Sequence, residues 1–444
     1  MPLQLEQTCR QPVRIDYNRI RCNRTEFFRL IMSAHQWQRV GYPCSPTITI
    51  GIIRIMQYMR KKCRIIRQLI FLVLAISIRA DGSQSSQSTY YVTRKLPSER
   101  TSYTDPTTGM EITMLTTSAA KDNKIYQTHP NWTADGRHIV FMSDRSGTNQ
   151  YFAVSVKTGT IVQLTDDKQP GNAFVSRTRN RMYYVSGRTI WDADIDSILR
   201  SHEPRDADTF RRKVADLPDG AALSGSTSVD SNGKDIYMGV QYDEDSWGLL
   251  ALDADTGKFR KIIDSDFRVG HCQAHPSISG LIMYCWETGG DSPQRMWIVN
   301  ADGRDNGPFY KETYDEWVTH EVWWGPNKAI FTIWPRNEEM LKKPHGIAYI
   351  SLQDRTLHIL SQKKYWHVGA SPDGKWAAGD TFDGEIFLIN GDTGRARLFT
   401  QGHRPQGATV HPHPSFSPDG SSVLFCSERN GNWDLFLVRL KQDK

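Results

Sequence analysis

Cysteine is scarce in this chain and follows neither a disulfide pattern nor a metal-binding pattern. The 444 residues include seven cysteines, of which only Cys272, Cys285 and Cys426 lie beyond residue 80. No two of the seven are spaced as Cys-x-x-Cys. A small, odd number without paired spacing argues against a disulfide framework and against a structural zinc site held by thiolates.

Several catalytic motifs are also absent from the sequence. It contains no G-x-S-x-G, the nucleophile turn of α/β-hydrolases, and neither G-x-x-x-x-G-K-[ST] nor G-x-G-x-x-G, which cradle phosphates. No amphipathic helical stretch of useful length is present either. These absences argue against a hydrolase domain of that kind and against a nucleotide-binding domain.

Long apolar runs are missing, and the charge is unevenly distributed. With 38% hydrophobic and 23% charged residues, the composition is that of a soluble globular protein and excludes a multi-span membrane protein. The net charge is +6, but residues 1–80 hold 14 of the 55 Lys and Arg and only 3 of the 49 Asp and Glu. The remainder is mildly acidic, so the net charge gives no support for nucleic-acid binding.

The N-terminal region has the layout of an export signal. Basic residues follow Met59, and the apolar run 69–78 is too short for a membrane-spanning helix of about 20 residues. We therefore interpret residues 59–80 as a secretory signal peptide, which predicts a periplasmic or secreted protein with no stable membrane association after cleavage. Residues 1–58 are then a non-native or disordered extension. A retained membrane anchor and a basic N-terminal arm are the alternatives.

From about residue 110 the chain repeats itself. Short strands are joined by Asp-Gly or related turns, which supply the positive φ of a tight hairpin. The equivalent turns succeed one another at steps of 45, 52, 47, 48, 46 and 46 residues; they lie at Asp135, Asn180, Asn232, Ser279, Asn327, Asp373 and Asp419. Seven units of about 47 residues predict an all-β fold, a seven-bladed β-propeller over 110–444, preceded by a linker and an opening strand at 81–109.

Histidines cluster at one position of this repeat. Seven of the 13 lie four to eight residues before a turn, at the start of the strand expected to line the central channel. They are His129, His271, His275, His320, His367, His411 and His413. Convergence from five blades predicts a functional cluster, although each histidine alone is more often structural. The others, among them His403, are expected at the surface, and His275 is a candidate turn residue before Pro276.

The pair His411 and His413 is the sharpest candidate for metal ligation. Alternate residues of an extended strand share a face, so both imidazoles are expected to point the same way. With a third histidine from another blade they would form a site for a borderline divalent metal.

Four segments carry a family resemblance: GHCQAHPS (270–277), QRMWIVNADG (294–303), YDEWVTHEVWW (314–324) and HPHPSFSPDG (411–420). In this order they resemble the oligogalacturonate lyases, a family of polysaccharide lyases. The resemblance covers most of 101–444 and implies a seven-bladed propeller, in agreement with the period. It also implies cleavage of acidic oligosaccharides by β-elimination.

The resemblance implies roles for particular residues. The family's base is a histidine of the GHxQ segment, here His271. Its metal, usually Mn²⁺, is held by the histidines that correspond to His320, His411 and His413, and by a glutamine. That glutamine position is Ala408 here, so either Gln406, two residues earlier, or water is expected to complete the set.

The chemistry of such a lyase is consistent with these residue types. A cation beside the uronate carboxylate offsets the charge that develops when the C5 proton leaves, and a neutral imidazole can accept that proton. Four further residues are candidates for substrate binding; they are Gln273, Arg295, His129 and His367. Arg295 could instead be an exposed blade-edge charge. Trp317, Trp323 and Trp324 could stack on sugar rings, but at least two of them are expected to be packed within the blades.

Two other readings of the function remain open at this point. One is a non-catalytic periplasmic propeller, similar to TolB, that binds a protein or a glycan. The other is a lyase-like propeller with a different polysaccharide as its substrate.

Overall fold

The computed structural model describes residues 92–440, except 289–291, 314–315 and 336–337. The predicted signal peptide (59–80) and the extension before it (1–58) lie outside these residues. Over the described ranges, thirty strands form seven antiparallel sheets, so the predicted seven-bladed propeller is confirmed. None of the helices in this part of the chain is long and apolar enough to cross a bilayer.

The blades follow one another along the chain. Blades 1 to 3 contain β4–β7 (Asp122–Lys124, His138–Ser143, Gln150–Ser155, Ile161–Gln163), β8–β11 (Pro170–Val175, Arg181–Ser186, Thr189–Asp194, Arg211–Asp216) and β12–β15 (Ala222–Val229, Asp235–Asp243, Ser246–Asp253, Phe259–Ser265). Blades 4 to 6 contain β16–β19 (Val269–Ala274, Leu281–Trp286, Met296–Asn300, Gly307–Pro308), β20–β23 (Trp317–Trp324, Lys328–Trp334, Gly346–Ser351, Leu357–Ser361) and β24–β27 (Tyr365–Ala370, Trp376–Thr381, Ile386–Asn390, Ala396–Thr400). Blade 7 contains β28–β30 (Ser415–Phe416, Ser422–Ser427, Asp434–Arg439) together with β2 and β3 (Thr101–Thr104, Glu111–Met114). Within the described residues the helical elements are α1 (Ile195–Arg200) and two 3₁₀ turns (Ala207–Thr209, Met340–Lys342).

Each predicted turn joins the first and second strands of a blade. In blade 1 the Asp135 carboxylate accepts hydrogen bonds from the Arg137 backbone N–H and the Thr133 hydroxyl. Gly136 follows with φ of 70°, a conformation that glycine adopts without steric cost. The turn residue and the glycine therefore fix the hairpin locally, which is why this signal could be read from the sequence.

The ring closes by pairing the two ends of the described chain. Strand β3 lies beside β30, with Ile112 opposite Val438, and β2 adds an outer strand to the same sheet. Another short strand, β1 (Lys95–Leu96), pairs with β7 at the outer edge of blade 1. Two strands from the predicted linker and opening strand, 81–109, are thus paired with blades. The sheet edges that remain in a propeller are short and protected.

The core consists of apolar layers between neighbouring blades. Because each sheet is covered on both faces, central strands such as β29 (Ser422–Ser427) bury every side chain instead of alternating. Phe425 and Phe436, on neighbouring strands of blade 7, stack on each other within one of these layers, with ring centroids 5.6 Å apart. His403 packs 4.5 Å from Phe425 and is fully buried, so the expectation that it lies at the surface is wrong. Burial lowers the pKa of His403 to about 3.

Candidate metal centre and catalytic site

The first strands of blades 2 to 6 share an irregularity. Each shifts register against its neighbour near the same place, between Gly270 and Gln273 in β16 and between Thr319 and Val322 in β20. A bulge of this kind inserts an extra residue and re-aims its side chain. In β16, β20 and β24 the inserted region contains a histidine, and these are His271, His320 and His367. Three of the seven clustered histidines are therefore positioned by a bulge in the first strand of a blade.

The backbone at these histidines is unusual. His271, His320 and His413 have φ of 43°, 60° and 48°, although residues with a Cβ rarely adopt the left-handed region. Such conformations cost about 1–3 kcal/mol each and persist where surrounding structure and function require them. Strand alternation predicts that Gln273, two residues after His271, shares its face of the strand, and this is wrong because the bulge interrupts the alternation.

His411 and His413 converge, but not for the predicted reason. They precede β28 in an irregular segment, and the positive φ of His413 excludes an extended strand there. Their rings nevertheless lie 5.6 Å apart and nearly parallel. The His413 Nδ1–H donates to the His411 carbonyl at 3.0 Å, which fixes the turn between them.

The structure adds His367 to this pair. One ring nitrogen from each of His367, His411 and His413 lies within 4.8 Å of the other two, so the three could share one ion. Tetrahedral bonds of about 2.1 Å place ligand nitrogens about 3.4 Å apart, which small side-chain rotations would reach. The ring centroid of His367 lies 4.3 Å from that of His320 and 3.9 Å from that of His413. Four imidazoles from blades 5, 6 and 7 therefore form one cluster.

The ring nitrogens that face away from the cluster have partners. His367 Nδ1 lies 3.0 Å from Oδ2 of the buried Asp380, and His320 Nδ1 lies 3.3 Å from the Thr332 hydroxyl. With the His413 bond to a carbonyl, these contacts place a proton on Nδ1 and leave the Nε2 lone pair available. A histidine held in this way by a carboxylate is the usual arrangement around a protein-bound metal.

His271 lies between two carboxylates. Its Nδ1 is 3.2 Å from Glu321 Oε1, and its Nε2 is 3.4 Å from Glu287 Oε2. The side chain is 23% exposed, so a ligand can reach it. Burial alone would raise the pKa of Glu321, but the charges of Arg295 and His271 outweigh burial and hold that pKa below its ordinary value.

Arg295 is neither an exposed edge charge nor directed at solvent. Its side chain is 3% exposed, and Nε lies 3.0 Å from Glu321 Oε2. A second nitrogen lies 3.7 Å from Glu287 Oε2. The exposed alternative for Arg295 is therefore wrong, and its guanidinium faces the two carboxylates that flank His271.

Tyr126 connects the two groups of histidines. Its ring makes edge contacts with His271 and His413, at centroid distances of 5.7 Å and 5.0 Å. One aromatic ring therefore contacts both His271 and a member of the four-histidine cluster.

The remaining sequence candidates lie elsewhere. Gln273 is buried, and its amide donates to the Glu321 carbonyl at 2.8 Å. His129 bonds the Thr227 carbonyl through Nε2 and Thr128 through Nδ1, and both His129 and Gln273 line a separate cavity of about 630 Å³. Burial lowers the pKa of His129 to about 4. Gln406 is exposed in a turn.

The predictions for His275 and for the tryptophans of blade 5 are also confirmed. His275 is a turn residue, as expected, because its Nδ1 accepts hydrogen bonds from the backbone N–H groups of Ser277 and Ile278. Trp323 and Trp324 are buried within the blades, as expected.

The chain is similar in sequence to proteins of known activity. Residues 92–394 match the sequence profile of one family, described as oligogalacturonate lyase. The chain belongs to the oligogalacturonate lyase family. It is 22% identical over 391 residues to the oligogalacturonide lyase of Pectobacterium atrosepticum, covering 78% of this chain and 97% of that one. With the oligogalacturonate lyase of Dickeya dadantii it shares 22% identity over 393 residues, with the same coverage.

Solved structures agree on the fold. An oligogalacturonate lyase in complex with manganese superposes with a TM-score of 0.70 at 21% identity, covering 79% of this chain and 98% of that one. An oligogalacturonate lyase from Vibrio parahaemolyticus gives the same TM-score at 19% identity and the same coverage. The family resemblance carried by the four sequence segments is therefore confirmed.

Sequence reasoning assigned no role to several residues of this lyase site. Glu321 directly follows His320 in the matched segment, so its position was a usable signal. Glu287, Asp380 and Tyr126 gave no such signal, because they reach the site from second strands and from a connecting segment. Their positions follow from pairing between strands, which the repeat period alone does not specify.

Proposed function

We propose that this protein is a metal-dependent lyase that cleaves oligogalacturonides by β-elimination and releases unsaturated products. The observation that carries the proposal is the four-histidine cluster beside His271, an imidazole flanked by Glu321 and Glu287. Family membership supplies the substrate class. The cluster supplies a place for the uronate carboxylate, and His271 supplies a base.

The cluster fits a divalent cation by its donor chemistry. His320, His367 and His413 have Nδ1 engaged elsewhere, which leaves their Nε2 lone pairs available to a borderline divalent ion, and one ring nitrogen each of His367, His411 and His413 already lies close to the other two. We propose that His320, His367, His411 and His413 hold Mn²⁺, since a structural relative is a manganese complex. When bound, the ion supplies positive charge that offsets the negative charge developing on the uronate. His367 then takes the place expected for Gln406.

His271 is proposed as the base that removes the C5 proton. Its Nδ1–H faces Glu321, which leaves the Nε2 lone pair to accept that proton. Glu287, 3.4 Å from Nε2, stabilises the imidazolium that results. Arg295 holds the pKa of Glu321 below its ordinary value and lies 3.7 Å from Glu287 Oε2, so it acts as a positioning residue for the two carboxylates.

The elimination balances without an added reactant. The C5–H bond breaks and its proton moves to His271, a C4–C5 double bond forms, and the bond from C4 to the glycosidic oxygen breaks. The leaving oxygen takes a proton from solvent, and His271 later returns its own proton to solvent. No water is added across the cleaved bond.

A substrate panel tests the proposal. Purified protein is incubated with oligomers of galacturonate and of other uronates, with and without added Mn²⁺, and absorbance from the unsaturated product is followed. A rise with oligogalacturonides that depends on metal is expected. No rise with any uronate oligomer would contradict the proposal. A non-catalytic propeller is not favoured, because membership of a lyase family and the two carboxylates that flank His271 both favour a catalytic function.

We also propose that the protein is exported to the periplasm or beyond. Support comes from the sequence of residues 59–80 alone, with its basic start and short apolar run. N-terminal sequencing of the mature protein after cell fractionation tests this. A first residue near 81 in the exported fraction is expected, and an intact N-terminus in the cytoplasmic fraction would contradict it.

A further inference from the structure

An aromatic surface adjoins the histidine cluster. The ring of Trp366 lies 3.6 Å from His411 and 5.2 Å from His367. Phe382 stacks on Trp366 at 4.5 Å with 16° between the ring planes, and Trp334 meets Phe382 at 5.3 Å. These three side chains, here called the aromatic step, come from the second strand of blade 5 and from blade 6.

Phe382 is exposed to solvent, although hydrogen bonds fix the backbone of the hairpin that contains it. It is 39% exposed, one of three large apolar side chains in the described part of the chain that face solvent. The hairpin that contains it closes by a bond from the Gly384 N–H to the Thr381 carbonyl, and Arg404 donates to the Phe382 carbonyl at 2.8 Å. A fixed apolar face beside a polar site is typical of a binding surface, because little conformational entropy is lost when a ligand covers it.

Arg404 gives the step a positive charge. Its guanidinium carbon lies 5.0 Å from the Trp366 ring centroid, and its buried Nε–H has no hydrogen-bond partner. On the other side, a cavity of about 330 Å³ opens beside Trp334 and is also lined by Lys343 and His345.

We propose that the aromatic step binds the sugar ring next to the one that loses its proton. This inference rests on the proposed function. The apolar face of a galacturonate ring packs on Phe382, with Trp366 and Trp334 behind it, while its carboxylate faces Arg404. A ring with one apolar face and one anionic group matches this combination of aromatic surface and cation.

Phe382→Ala tests the subsite, with Ile278→Ala as the matched control. Ile278 is 42% exposed and lies in the turn after β16, at the far end of that strand from His271's bulge. On trigalacturonate, Phe382→Ala should raise KM about tenfold and change kcat less than twofold, since the contact contributes to binding and not to proton transfer. Phe382→Tyr should restore the KM, and Ile278→Ala should not alter it.

Calorimetric binding of trigalacturonate separates the possible failures. Weaker binding by Phe382→Ala than by the wild type supports the subsite, whether or not product forms. If the wild type binds and cleaves but Phe382→Ala keeps its KM and Kd, the subsite is wrong and the proposed function stands. If the wild type neither binds nor cleaves any oligogalacturonide, both are wrong.

Discussion

The Nδ1 atom of His367 lies 3.0 Å from the carboxylate of Asp380, and the backbone N–H of His367 donates to the same carboxylate at 2.8 Å. Two bonds to one buried group fix both the position and the tautomer of the imidazole. Nε2 is therefore directed away from Asp380, on the side where the rings of His413 and His320 lie. The contact with Asp380 therefore holds the His367 imidazole in the orientation and tautomer that a metal ligand needs, which burial alone would not do.

Asp380→Asn should weaken manganese binding about 10- to 100-fold, because the amide no longer fixes the His367 tautomer. Titration calorimetry with Mn²⁺ on metal-free protein measures the effect. Asp373→Asn, at an exposed turn carboxylate on the same blade, is the control and should bind like the wild type. Equal affinity in Asp380→Asn and the wild type would show that His367 does not contribute through this bond.

His367→Ala and Gln406→Ala discriminate between two candidates for one ligand position. Removal of His367 should lower the affinity for Mn²⁺ by more than about 100-fold, since a direct ligand contributes more than the residue that supports it. Gln406 is exposed in a turn, so its removal should have no effect. Calorimetry on both variants decides the question. The opposite ranking would restore Gln406 to the ligand set.

His271→Ala should abolish most turnover and leave metal binding intact. Loss of a general base lowers the rate by about 10²- to 10⁴-fold. Its ring lies beside Tyr126, apart from the four-histidine cluster, so Mn²⁺ affinity should change little. Steady-state rates and metal titration on the same preparation make the comparison. A variant that retains more than a tenth of the wild-type rate would exclude His271 as the base.

His403 makes stability depend on pH in a known direction. Burial lowers its pKa in the folded protein to about 3, whereas the unfolded value is about 6.5. The folded state excludes a proton that the unfolded state binds, so this contribution is fully present above the unfolded pKa and declines as pH falls towards the folded pKa. Urea unfolding between pH 4 and pH 6 should show a shallower pH dependence in His403→Gln than in the wild type. Parallel curves would contradict this.

Phe436→Ala tests the closure of the ring. Phe436 is fully buried on the last strand, where it stacks on Phe425 and meets Tyr103 of β2 edge-on. Truncation should reduce the free energy of unfolding by about 3–5 kcal/mol. Chemical denaturation measures it. A loss below about 1 kcal/mol would mean that the pairing of the two chain ends contributes little to stability.

The fold could be predicted because its signals are local. A turn such as Asp135-Gly136 specifies its own hairpin, and the even period then fixes the number of blades. The strands β1 and β2 could not be placed, because two to four residues carry no clear pattern and their partners lie far away in sequence. Ring closure depends on those distant pairings.

The site could be predicted only in part, for a related reason. Bulges recur at the same place in the repeat, so the histidines that they carry, His271, His320 and His367, stood out by position alone. Glu287, beside His271, and Asp380, beside His367, lie on or directly after second strands and have no period of their own. His367 was found by its position, but its bond to Asp380, which makes it a prepared ligand, depends on strand pairing.

The most direct test of the central claim is mass spectrometry of the products formed from trigalacturonate in oxygen-18 water, with Mn²⁺ present. Elimination adds no water, so the account predicts an unsaturated fragment and a saturated fragment whose masses sum to that of the substrate, with no label gained by bond cleavage. Both fragments should be absent from reactions with His271→Ala. Incorporation of the label across the cleaved bond, with no unsaturated fragment, would mean hydrolysis and would contradict the account.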